Sequence, residues 1–356
     1  MVHSLPTMAA TNVRGRLRTR KLWWEELPEN ELLDLQIRDL DLSVEGSWIE
    51  ASVRQLEKDL ERRGMRFRPH LWFSHEWFTP DGIPGVALPF YLGHPRLIQL
   101  ERSQMNEIEG GSKDECIKIL RHECGHAFQH AYQLHRQLQW RKHFGPSSRK
   151  YPDSYTPNPA SRRFVQHLKL YYAQSHPVED FAETFAVCLQ PQAMWRKRYA
   201  GWPALKKLEF VYELISELAT KSAPVKTKKR IDPASAIRTT IGEYYSDKRR
   251  RYRIGFPDVY DRDLKKLFPQ VKGSQPRELA SSFLRRNRSE INRLVGEWTE
   301  EYRYALEQVM PDMIGRSREL KLRVSGSEKS ILVDFAIILV RHTVDFHHNR
   351  RSSFAL

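Results

Sequence analysis

Apolar positions along the chain fall into stretches of helical spacing, interrupted by one region of alternation. Residues 30–42 and 45–63 place Leu32, Leu33 and Leu40, then Trp48, Val53, Leu56 and Leu60, at helical intervals, and Gly64 stands where a C-terminal cap belongs, so two helices open the fold. Met65, Phe67, Leu71 and Phe73 share one parity before the turn residues Pro80, Asp81 and Gly82. Val86, Leu88, Phe90 and Leu92 share one parity after them, and a third short strand is expected at 96–101. The pattern predicts a small, antiparallel-leaning sheet.

Ser112 with Glu115 three residues on has the form of a capping box, which starts a long helix expected to run to about Trp140 with Ile119, Leu120, Ala127, Phe128 and Ala131 on its apolar stripe. After a loop rich in Pro and Ser at 146–160, helices are expected over 162–172, from Pro177 to about Leu189, and over 204–219, Pro being favoured at the first helical position. Beyond residue 254 helical spacing returns at 277–285, 289–309 and 327–347, with Pro311 expected to end or kink the middle helix. The fold class is therefore α+β: a small sheet and a long helix, followed by a mainly helical C-terminal region.

Composition narrows the function classes. Of 356 residues 40% are hydrophobic and 29% charged, the balance of a globular chain. The longest apolar run, Ile331 to Val340, contains Asp334 and is half of the roughly 20 residues a membrane span needs, so no membrane partner is expected. Cys116, Cys124 and Cys188 lack Cys-x-x-Cys spacing, which excludes a disulfide framework and a thiolate zinc ribbon and fits a cytoplasmic location.

Charge is uneven within the net +15. Residues 221–253 carry eleven basic side chains against three acidic ones, together with Pro224 and Pro233. The expected organisation is a loose basic tail at 1–22, a first folded domain at 23–220, a basic linker at 221–253 and a helical region at 254–356. A basic linker can neutralise phosphates, but without a recognisable nucleic-acid motif a solvated tether is favoured and nucleic acid is the less favoured partner.

The strongest chemical signal is His122-Glu123-Cys124-Gly125-His126 inside the long helix. Histidines at i and i+4 share a face and can both bind one Zn²⁺, while the adjacent Glu can act on a water that the metal activates. A metzincin would continue with Gly and His where this chain has Gln129 and Tyr132, so the third ligand comes from elsewhere. His176-Pro177-Val178-Glu179-Asp180-Phe181-Ala182-Glu183 is the candidate segment, because Glu179 and Glu183 fall on one face of a helix beginning at Pro177 and would repel each other without a cation.

The pairing of this motif with the later Glu179-Asp180-Phe181-Ala182-Glu183 resembles the gluzincin metallopeptidases, and the run from Tyr172 to Ala186 resembles a bacterial family of zinc-binding metallopeptidases. The resemblance covers about residues 27–220. It implies a zincin-like domain in which His122, His126 and Glu179 hold Zn²⁺, Glu123 is the general base and Glu183 orients a ligand histidine from outside. Such peptidases add a donor for the oxyanion, and Tyr172 and His176 both compete for that role. The function so implied is hydrolysis of peptide bonds in a peptide or protein substrate. The alternative is a non-catalytic zinc-binding module whose basic segment contacts nucleic acid or another partner.

Overall fold

The computed structural model describes residues 22–105, 108–152, 155, 157–251, 260–268, 277–296 and 303–351. The expected tail at 1–22 lies outside these residues except for Leu22. Helix α1 (Glu29–Asp34) is shorter than its spacing predicts, because Gln36 is extended and pairs with Thr240, leaving only a 3-10 turn at Ile37–Leu40. Helix α2 (Glu50–Arg62) is followed by Gly64 at φ +66°, the left-handed cap that the sequence suggested.

The sheet corrects the antiparallel expectation. Strands β1 (His70–Ser74) and β2 (Gly85–Pro89) run parallel with His70 opposite Gly85. Their connection passes beneath the far edge of β2, where Phe78 pairs antiparallel with Ala87, so β2 is bonded on both sides by a chain that never forms a hairpin. All five residues of β2 are buried. The third strand expected at 96–101 is helical: Pro95 occupies the first position of α3 (Pro95–Met105), which buries Leu97, Ile98, Leu100 and Met105.

Helix α4 (Lys113–Tyr132) starts where the capping box requires, Ser112 accepting from the Glu115 amide at 3.2 Å. It stops short of Trp140 because Gln133 turns left-handed at φ +51° and its amide bonds back to Gln129 and His130. A separate α5 (Leu138–Phe144) follows. The helix expected over 162–172 is absent; the described residues there are irregular up to a 3-10 turn at Lys169–Gln174. Helices α6 (Pro177–Cys188), α7 (Gln192–Arg198) and α8 (Ala204–Leu218) complete this part.

The described part of the expected tether, residues 221–251, packs onto the fold, and residues 252–253 lie outside the described residues. Val225 bonds to Ala131, the Trp72 indole to the Ile231 carbonyl, Ser74 to the Asp232 carbonyl, and Ile37 and Arg38 to the carbonyls of Thr239 and Ile237. The segment ends in α9 (Ile241–Arg251), whose Ile241, Tyr244 and Tyr245 join the hydrophobic cluster that begins at Trp24. These anchors are mostly backbone groups, which a reading of side-chain charge does not register.

A second cluster, from Tyr260 to Leu339, is built by α10 (Asp261–Leu267), α11 (Ala280–Arg286), α12 (Arg288–Gly296), α13 (Arg303–Glu319) and α14 (Glu328–Arg351). Pro311 does not end its helix, and residues 297–302 of the expected 289–309 helix lie outside the described residues. Among the described residues no helix is long and apolar enough to cross a membrane.

Candidate metal centre

Two packed helices create the site. α4 and α6 approach so closely that a Cβ on Gly125 would stand 2.9 Å from the Ala182 Cα, so the small residues at these two positions bring the histidines of one helix to the carboxylates of the other. Arg121, one residue before His122, is bonded through Nε and a terminal nitrogen at 2.8 and 2.6 Å to the fully buried Asp59 of α2. That pair fixes the rotation of α4 about its axis, and with it the direction in which His122 and His126 point.

His122 Nε2, His126 Nε2 and Glu179 Oε2 form a triangle with edges of 3.1, 3.1 and 3.0 Å. Among the described residues it is the group able to hold a metal ion. Glu183, fully buried, takes His122 Nδ1 on Oε1 and the Leu168 amide on Oε2, both at 2.9 Å. With its Nδ1 proton committed to Glu183, His122 turns the Nε2 lone pair toward His126 and Glu179. With His126 Nε2 unprotonated as well, three acceptors face one another and repel unless a cation lies between them. Tetrahedral Zn²⁺ with bonds of about 2.0–2.1 Å would set its ligands about 3.3 Å apart, so the donors need to open by only a few tenths of an ångström. The residues fit the ion.

Burial alone would lower the His122 pKa, but its bonds to Glu179 and Glu183 outweigh that and raise it well above the usual imidazole range. Burial works against the Glu179 carboxylate too, and the two histidines overcome it and hold the pKa well below normal. The surroundings of the triangle therefore favour positive charge within it.

The remaining sequence candidates separate clearly. Glu123 sits on the cleft beside the triangle, its Oε2 accepting from Thr79 Oγ1 at 2.9 Å. Tyr172 lines the cleft with its ring 5.5 Å from that of His122. His176 is engaged at both nitrogens: Nδ1 caps α6 by accepting from the Val178 amide, and Nε2 donates to the Arg149 carbonyl at 2.7 Å. Cys124 points into the core, and burial raises its thiol pKa far from the reactive range.

Tyr151 and Thr79 were not found by sequence reasoning. Tyr151 donates to Glu179 Oε1 at 2.8 Å and stacks on His176 at 3.8 Å. It lies in the loop rich in Pro and Ser, where no periodicity or motif marks it. A cleft of about 930 Å³ opens onto the triangle, lined among others by Trp77, Met105, Ile119, Asp81, Gln129 and His135.

Residues 100–211, which span α4 and α6, match the model of a family described as "Putative zinc-binding metallo-peptidase". No curated protein and no solved structure matches the chain.

Proposed function

We propose that the chain is a zinc-dependent peptidase with a zincin-like catalytic unit, in which His122, His126 and Glu179 hold the metal and Glu123 moves the proton. The observation that carries this reading is the placement of the His/His/Glu triangle on the wall of a large open cleft, beside a carboxylate that is not part of it. A metal with only a structural role is normally closed off by a fourth protein ligand.

Zn²⁺ in this triangle would supply Lewis acidity to a peptide carbonyl and lower the pKa of water toward neutrality. The rest belongs to the protein. Thr79 holds Oε2 of Glu123, so Oε1 is the atom that takes the proton of the attacking water and passes it to the departing amine nitrogen. Glu183 keeps the proton of His122 on Nδ1 and so keeps Nε2 a ligand. Both nitrogens of His176 serve the fold, which favours Tyr172 as the phenol that donates to the oxygen of the tetrahedral intermediate.

Metal analysis of wild type, Glu123→Gln and His122→Ala, together with digestion of a broad peptide library, tests the proposal. About one zinc per chain in the first two proteins, cleavage by wild type alone and loss of zinc from the third are expected. Cleavage by Glu123→Gln at the wild-type rate would reject the role of Glu123.

A further inference from the structure

The chain carries net +15, yet along the described residues of the cleft acidic side chains outnumber lysines and no arginine takes part. One of these acids is held in an unusual way. The turn at 79–82 is clamped to α4 at both ends: Thr79 Oγ1 donates to the carbonyl and the carboxylate of Glu123, and the Gly82 amide donates to His130 Nδ1 at 3.2 Å. Gly82 has φ +69°, which lets the chain turn back at that point. Between the clamps the Asp81 side chain is fully exposed, its Oδ1 3.5 Å from His130 Nδ1. That nitrogen accepts from the Gly82 amide, so it does not donate to Asp81.

A second observation lies beside it. Gln129, 2% exposed, lines the cleft, and its Oε1 has no partner among the described residues. His135 Nδ1, also on the cleft, is buried and unpartnered in the same sense. A buried polar atom without a partner costs free energy that a ligand can return. A carboxylate and an amide oxygen lining one cleft call for a donor that is positively charged.

We propose that Asp81, with Gln129 lining the same cleft, binds the cationic side chain of a lysine or arginine in the substrate. The inference rests on the peptidase reading and gives it a substrate class. Spacing selects the side chain over the free amine of a terminal residue next to the cleaved bond. From Glu123 to His130 is seven residues of helix, about 10 Å at 1.5 Å per residue, whereas the amine of a terminal residue lies within about 3.3 Å of the next peptide group. The stem of a lysine or arginine flanking the cleaved bond supplies the extra reach. Asp81 lies outside residues 100–211, so the family match does not contain it.

The test is calorimetric titration of the zinc-loaded, full-length Glu123→Gln protein with capped hexapeptides. They would carry lysine, arginine, norleucine or glutamate at one position flanking the central bond. An uncapped alanine peptide carries the free amine alone. Lysine and arginine peptides should bind about tenfold more tightly than norleucine, and Asp81→Asn should reduce that ratio to within about twofold at unchanged zinc content. Because Asp81 is fully exposed, the variant should keep the wild-type melting temperature. Equal affinity for lysine and norleucine, a ratio that survives Asp81→Asn, tighter binding of the uncapped alanine peptide, or no binding of any peptide would each overturn the inference. Digesting the same peptides with wild-type protein separates the two readings. Cleavage without a lysine preference rejects the subsite alone, and a lysine preference in binding without cleavage rejects the peptidase alone.

Discussion

Tyr151 and Glu179 are joined by a 2.8 Å hydrogen bond from the phenol to Oε1, the carboxylate oxygen that faces away from the histidines. The same phenol ring stacks on His176, the residue that caps α6 one turn before Glu179. The loop carrying Tyr151 is thereby fastened to the helix that carries Glu179, and Oε2 is left as the oxygen presented to His122 and His126.

Tyr151→Phe keeps the stacking and removes only the hydrogen bond. Zinc affinity, measured by competition with a coloured chelator, should fall about tenfold, within the 10–100-fold usual for losses of this kind, while the metal-free protein loses about 1–3 kcal/mol of stability. Glu179→Ala should weaken zinc binding more than Glu183→Ala. The reverse order would make Glu183 the ligand.

Gly125→Ala should destabilise the protein by about 1–3 kcal/mol, because the new Cβ meets the Ala182 backbone, which cannot rotate away. Urea unfolding measures the cost. Zinc affinity should drop with it, since widening the gap between α4 and α6 separates His122 from Glu179 and Glu183.

Burial, with His126 adding to it, pushes the His130 imidazole down to about 4. A folded pKa below the unfolded value of about 6.5 means that the unfolded chain takes up the proton first as pH falls. The stabilising contribution of neutral His130 is therefore complete above about pH 6.5 and disappears progressively toward pH 4. Between pH 7 and 4 wild type should lose on the order of 2 kcal/mol more than His130→Gln in urea unfolding. An identical pH profile for the two proteins would show that His130 titrates normally.

Tyr245→Ala should cost about 3 kcal/mol, because this α9 side chain is fully buried in the cluster that begins at Trp24. A free tether would tolerate the change without effect on the melting temperature. Lys248, on the same helix, bonds to Glu101 and the Tyr244 hydroxyl at 2.9 Å and lines the cleft, so Tyr245→Ala should also weaken peptide binding.

Much of the centre was legible in the chain because its parts are local. Histidines four apart on a capped helix, and carboxylates four apart on a helix opened by Pro177, are fixed by helical geometry once the helices form. The long helix and its start, the left-handed cap at Gly64 and the α6 start at Pro177 follow from residues within a few positions of each other. The expectation of a strand at 96–101 failed because alternation over so few residues does not outweigh a proline at the first position of a helix.

What the sequence by itself determined is the set of groups and their spacing along each helix: two imidazoles and three carboxylates. Tertiary structure decided which carboxylate oxygen meets the histidines, which aromatic ring holds the other oxygen, the parallel pairing of β1 with β2, and the packing of the basic segment at 221–251 as part of the fold. The reason is range. Helical spacing is set by bonds between residues three and four apart, whereas Tyr151 reaches Glu179 across 28 positions and the Trp72 indole reaches the Ile231 carbonyl across 159. Contacts of that range depend on how already formed elements pack, and no local pattern of hydrophobic or charged residues encodes them.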